Sequence, residues 1–96
     1  MDNRVALTAC LIEAQALRFT PGGVSALSVL LEHESRQQEA GQERQVRAVV
    51  KAVAFGEVAE RLARLPVGSV LTLQGFLATP RNGKHPVVHI QEYQHD

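Results

Sequence analysis

Apolar residues recur along this chain at the intervals of β-strands that bury one face. In the first such segment Val5, Leu7 and Leu11 would share one face, and Thr8 would lie on the other. Four further apolar stretches follow, the second of them dense in Val and Leu. The pattern therefore predicts five strands, over residues 4–16, 24–33, 45–54, 69–78 and 86–93.

Residues 56–65 leave this alternation and follow a helical period instead. Val58, Leu62 and Leu65 would line one face of a helix, and charged residues would line the other. Pro66 prevents the helix from continuing. One short helix is therefore expected between the third and fourth strands.

Turn-forming residues separate the predicted strands. Thr-Pro-Gly-Gly at 20–23 combines a fixed φ with two permissive residues, which is turn chemistry. Pro-Arg-Asn-Gly at 80–83 predicts a hairpin turn of the Asn-Gly kind. The polar residues 34–43, which include Gly41, predict a long exposed loop between the second and third strands.

The predicted order of elements is β-β-β-α-β-β. This is the order of the OB-fold, an all-β, five-stranded Greek-key barrel with one short helix between strands 3 and 4. A β-sandwich would need more strands, and a ferredoxin-like fold would need two helices at other positions. We therefore expect a single OB-fold domain over residues 1–96.

Composition agrees with one small folded domain and limits its partners. Hydrophobic residues make up 45% of the 96 residues and charged residues 21%, which is the balance of a globular chain. A core this small leaves a thin stability margin, so self-association is expected. Ten basic and ten acidic residues give zero net charge, so a local patch would have to hold any polyanion.

Cysteine content and hydropathy indicate the compartment. The lone Cys10 cannot form an intramolecular disulfide, which favours a reducing environment. The first residues run into an alternating segment without the apolar region of a signal peptide. No apolar run approaches the roughly 20 residues of a membrane span. A cytoplasmic protein without a membrane partner is therefore expected.

Several short segments of the sequence, taken in their order along the chain, resemble segments of known protein families. Asn-Arg-Val at 3–5, Thr-Pro-Gly-Gly at 20–23, Phe-Gly-Glu-Val-Ala-Glu at 55–60 and Gly-Ser at 68–69 resemble bacterial single-stranded DNA-binding proteins. Leu-Glu-His at 31–33, Glu-Ala-Gly at 39–41, Arg-Gln at 44–45 and Gln-Gly-Phe at 74–76 resemble the primosomal replication protein N, or PriB, family more closely. The resemblance covers nearly the whole chain.

This resemblance implies a function that periodicity alone does not. It implies a homodimer of OB-folds that binds single-stranded DNA as an accessory factor of the replication-restart primosome. It also implies that the protein bridges the DNA to the primosomal helicase PriA and the loader protein DnaT.

Basic residues are the candidates for contacting DNA phosphates. Arg44 and Arg47 open the third predicted strand, and Lys51 shares a face with Arg47. The resemblance adds basic positions beside the first turn and in the last hairpin, which here are Arg18, Arg81 and Lys84. These cations are expected to come together once the barrel forms, because OB-folds take oligonucleotides at their loops.

Aromatic residues make up only 4% of the chain, and here the sequence departs from its relatives. Some PriB proteins carry an aromatic residue where this chain has Gln42 and Arg47, and a basic one where it has Glu34. Glu34 should repel phosphate, so weaker or differently placed DNA contact is expected. Phe55 matches a stacking position in single-stranded DNA-binding proteins, although a Phe before a helix commonly packs against that helix.

The remaining polar residues predict no catalysis. The histidines and Cys10 match no compact zinc spacing, and Cys10 has no orienting or activating partner. The glycines form no phosphate-binding motif, so no cofactor, no metal and no enzyme is expected.

Two alternative functions stay open at this point. The barrel could be a protein-interaction adaptor with weak or incidental nucleic-acid binding, which zero net charge and few aromatics favour. A cold-shock-type RNA-binding barrel is less well supported, because such barrels display clustered aromatics on adjacent strands.

Overall fold

The computed structural model describes all 96 residues as six strands and one helix. The elements are β1 (Val5–Ala14), β2 (Arg18–Phe19), β3 (Ser25–Glu39), β4 (Gln42–Phe55), α1 (Glu57–Leu62), β5 (Val70–Ala78) and β6 (Val87–His95). No helix is long and apolar enough to span a membrane.

The five long strands close into a barrel. They pair in the order β1-β5-β6-β4-β3, and β1 then pairs with β3 as well, which completes the circle. Every pairing is antiparallel except β4 with β6. The predicted OB-fold is confirmed, with its helix between β4 and β5 because the short β2 adds one strand to the count.

The core lies inside the barrel and under the helix. The inward positions of each long strand carry aliphatic residues, and Ala59 and Leu62 of α1 cover one end. The helical face predicted from the sequence is therefore the buried one. The core cluster consists of Ala9, Leu11, Leu27, Val29, Leu31, Ala52, Ala54, Ala59, Leu62, Leu71, Leu73, Val88 and Ile90.

The predicted exposed loop at 34–43 is wrong. β3 and β4 form one uninterrupted hairpin, and only Ala40 and Gly41 lie between them. Both residues have positive φ, as the tight hairpin turn of type I′ requires. Beyond Glu32, β3 no longer pairs with β1, so residues 33–48 project from the barrel as a two-stranded extension, here called the arm. The arm contributes to a longest molecular dimension of 49 Å.

Two further connections differ from the sequence prediction. The two-residue β2 follows β1 and pairs with the start of β3. This pairing is too short to produce an alternation of apolar and polar residues in the sequence. Residues 79–86 form an eight-residue connection between β5 and β6, not a tight Asn-Gly hairpin. Within it the Gly83 amide donates to the Pro80 carbonyl at 3.0 Å, and neither Asn82 nor Gly83 has the positive φ of a type I′ turn.

Candidate nucleic-acid interface

A groove of about 510 Å³ runs over the outer surface of β3, β4 and β6. β2 borders it at one side, and Pro80 of the β5–β6 connection borders it at another. Its floor is apolar, with Leu30 of β3 and Val53 of β4 among the lining residues. The groove brings together candidate residues from several elements.

Two predicted cations line this groove. Lys51 projects outward from β4 and has no ion-pair partner. Arg18 of β2 donates from Nη1 to the hydroxyl of Ser28 at 3.0 Å, a neutral contact that leaves the guanidinium charge uncompensated. Glu13 is the only carboxylate among the lining residues, and it is paired with neither cation.

Arg81 and Lys84 lie in the connection between β5 and β6. Both are exposed, and neither forms an ion pair or a side-chain hydrogen bond. Pro80, next to Arg81 in the chain, lines the groove, so this loop carries two free positive charges at the groove's border.

Arg44 and Arg47 lie on the arm and are neutralised there. Arg44 pairs with Glu39 at 2.6 Å close to the turn. Arg47 pairs with Glu32 at 3.0 Å and with Glu34 at 3.6 Å. The hydrogen bond that Arg47 donates to Glu32, followed by the charges of Glu32 and Glu34, raises the pKa of Arg47 above its usual value. The structure therefore separates these two cations from the four around the groove.

An aromatic cluster forms one end of the groove. Phe55, at the end of β4, is 42% exposed and lies 5.8 Å from the His89 ring of β6. His89 stacks on Phe76 of β5 with ring centroids 4.7 Å apart. Phe55 therefore presents part of its ring to the groove instead of packing fully against the helix.

Sequence reasoning missed His89 and Phe76 as parts of the site. The signal was present, because a hairpin centred between Asn82 and Gly83 pairs residue 76 with residue 89, as the structure does. Side chains directly opposite each other on paired strands touch, which makes the stack a consequence of register.

This arrangement has the physical features needed to hold a single strand. Unpaired cations along a groove can track phosphates, and an exposed ring offers a face on which a base can stack. Together with a closed five-stranded barrel and a single helix, these features are those of the single-strand binding proteins built on an OB-fold.

Comparison with known proteins agrees with this class. A family described as "another single-strand binding protein family" matches residues 3–92. Replication restart protein PriB of Bordetella pertussis is 43% identical over 94% of this chain and 85% of its own length. The structure of PriB from Ralstonia solanacearum has a TM-score of 0.91 at 38% identity and covers 99% of this chain and 98% of its own.

A more distant neighbour shows how the fold recurs. The single-stranded DNA binding protein from Thermus aquaticus has a TM-score of 0.78 at 25% identity, and the match covers 97% of this chain and 49% of that one. The chain belongs to the PriB family of replication restart proteins. Membership in a family of binding proteins supports a role in binding and not in catalysis.

Proposed function

We propose that this protein binds single-stranded DNA during replication restart and that the groove is the binding site. The observation that carries the proposal is the groove itself, in which the unpaired Lys51 and Arg18 lie on the same surface as the half-exposed Phe55. The relatives support it, because they are named as replication restart proteins and single-stranded DNA binding proteins.

In the proposed mechanism, cations hold the phosphates and an aromatic ring stacks on a base. Lys51 and Arg18 hold phosphates in the groove, while Arg81 and Lys84 approach the same strand from the loop at the groove's border. Each neutralised phosphate releases condensed counterions, so affinity should fall as salt rises. Phe55, supported by the ring of His89, would stack with a base.

The test of the proposed function is fluorescence anisotropy with a labelled oligothymidylate and a duplex of equal length, over a salt series. We expect salt-sensitive binding that favours the single strand, because a duplex keeps its bases stacked inside and cannot offer one to Phe55. Failure of both oligonucleotides to bind at low salt would overturn the proposal.

Replacing Arg81 and Lys84 together by alanine is expected to weaken oligothymidylate binding and to leave the fold intact. Both side chains are exposed and make no contact that the fold needs, while their loss removes about two phosphate contacts. The salt slope, log affinity against log salt, should become shallower by about 1.4. Arg36→Ala with Arg64→Ala is the matched control, since it also removes two positive charges, from the arm and the helix. Equal losses in both double variants would remove this loop from the site.

We also propose that the protein acts as a homodimer. Residues 5–9 of β1 pair with β5 on one side only, because the pairing with β3 begins at Cys10. Apart from the Thr8 carbonyl, which lies 2.7 Å from Nδ1 of His33, this edge is open, and an open strand edge is a ready template for a second chain. Light scattering during gel filtration should give twice the 10.5 kDa mass of the chain, and a monomer at micromolar concentration would contradict the dimer.

Bridging to PriA and DnaT is the finer part of the proposal and comes from family resemblance. The neutralised arm supports such a docking role, since its cations are held in ion pairs and are not offered to DNA. If the protein were mainly an adaptor, the helicase would bind it equally well with and without oligothymidylate, and Arg81→Ala with Lys84→Ala would change neither interaction. Anisotropy with both components distinguishes the two cases.

A further inference from the structure

The outward row of side chains on β4 continues from the groove onto the arm. Outward positions on a strand repeat every second residue, so Phe55, Val53 and Lys51 are followed by Val49 and Arg47. The first three line the groove, and Val49 is 59% exposed beyond it. Arg47 lies about 13 Å further along the strand than Lys51, where the next cation of a DNA path would be expected.

The two cations of this row face different neighbours on β3. Lys51 pairs in register with Leu30, which carries no charge. Arg47 pairs in register with Glu34, and Glu32 stands diagonally across from it. Nη2 of Arg47 donates to Glu32 at 3.0 Å, and its Nε lies 3.6 Å from Glu34. Glu32 also stands diagonally from Lys51 but pairs only with Arg47, so the residue directly opposite on β3, Leu30 or Glu34, distinguishes the free cation from the paired one.

The carboxylates leave a net negative charge around Arg47. Two carboxylates surround one guanidinium, so a phosphate that approached Arg47 would have to displace a carboxylate and meet the other one. Glu32 is the better shielded of the two, with 27% of its side chain exposed, and an ion pair there is screened less by salt than one in open water. The other arm cations, Arg36 and Arg44, are likewise paired, with Glu43 and Glu39.

We propose that Glu32 and Glu34 end the DNA path at Lys51 by holding Arg47 in ion pairs, and so limit the length of single strand that one protomer binds. The proposal rests on the groove being the DNA site. Glu32 and Glu34 act as specificity-determining residues that exclude nucleic acid from the arm.

The first test replaces both carboxylates by their amides, Glu32→Gln with Glu34→Gln. The amides keep the shape and free Arg47, so oligothymidylate affinity should rise about fivefold at low salt and the salt slope should steepen by about 0.7, the value for one added phosphate. Glu57→Gln with Glu60→Gln, on the exposed side of α1, removes the same charge far from Arg47 and serves as the control. An equal gain in the control would overturn the proposal.

A double-mutant cycle separates the freed Arg47 from general charge removal. Arg47→Gln alone should leave the salt slope unchanged, because Arg47 contacts no phosphate in the unaltered protein, while the two uncovered carboxylates should lower affinity slightly. In the background of the two amides, the same substitution should remove the gain. A gain that survives without Arg47 would refute the proposal. If neither the unaltered protein nor the two-amide variant binds oligothymidylate, the proposed function is overturned as well. If both bind and the variant shows no gain, only this inference is overturned.

Placing a carboxylate opposite Lys51 tests whether an ion pair also removes that cation from the DNA path. Leu30→Glu places a carboxylate opposite Lys51 in the register that Glu34 has opposite Arg47. Binding should fall as far as it does in Lys51→Gln, and combining the two should cause little further loss. Leu30→Gln controls for the loss of an apolar side chain, and thermal unfolding checks that each variant folds. Full additivity of Leu30→Glu and Lys51→Gln would contradict the ion-pair explanation.

Discussion

Replacing Phe55 by alanine is expected to weaken oligothymidylate binding by between about fivefold and 150-fold. Phe55 is the only phenylalanine among the residues that line the groove, and stacking of one base is worth about 1 to 3 kcal/mol. Stacking carries no charge, so the salt slope should remain that of the unaltered protein even though affinity falls. Anisotropy over a salt series measures both quantities in one experiment.

Phe19→Ala is the matched control for this prediction. Phe19 is also an exposed phenylalanine, at 67%, but it does not line the groove, since neighbouring residues of β2 point to opposite sides and Arg18 takes the groove side. Its loss should leave binding almost unchanged. If both variants bind as tightly as the unaltered protein, Phe55 is not a stacking residue. Phe55→Trp should retain binding, which separates a need for an aromatic face from a need for phenylalanine.

The barrel could be predicted from the sequence because the strand residues that face its core are apolar at every second position. The arm could not be predicted in the same way. Residues 34–43 have no core to cover, so both faces are polar and no alternation of apolar and polar residues appears. Backbone pairing and cross-strand ion pairs, such as Arg36 with Glu43, hold this part of the hairpin. A polar stretch that looks like a loop can therefore be a strand pair.

The residue types of the site could be predicted from the sequence, but whether each cation is free or ion-paired could not. Alternation correctly placed Lys51 and Arg47 on one face of β4. Whether each is free depends on the residue opposite it, Leu30 or Glu34, and that register follows from the two-residue turn at Ala40 and Gly41. Because residues 34–43 were assigned to a loop, no partner for Arg47 could be derived from the sequence.

Gly75 links the fold to the aromatic end of the site. A Cβ atom at this position would lie 1.7 Å from the carbonyl oxygen of His89 and 3.3 Å from the Cα of Ile90. The close approach occurs where the β5–β6 register shifts, since Gln74 pairs with Glu92 and Gly75 with Ile90, leaving Gln91 unmatched. Such β-bulges bring two backbones together at a point that only glycine can occupy.

Gly75→Ala is therefore expected to destabilise the protein by about 3 kcal/mol or more, because two central strands would have to separate. For a domain of this size the melting temperature should fall by about 12 °C or more, measured by circular dichroism. Gly22→Ala is the control, since its added Cβ would meet only the Thr20 hydroxyl at 3.9 Å. The separation would also move the His89 ring away from Phe76, so the variant should bind oligothymidylate more weakly even at a temperature where it stays folded. A variant with unchanged melting and unchanged binding would show that β5 and β6 can shift freely at this point, and the close packing inferred for the aromatic end of the groove would not hold.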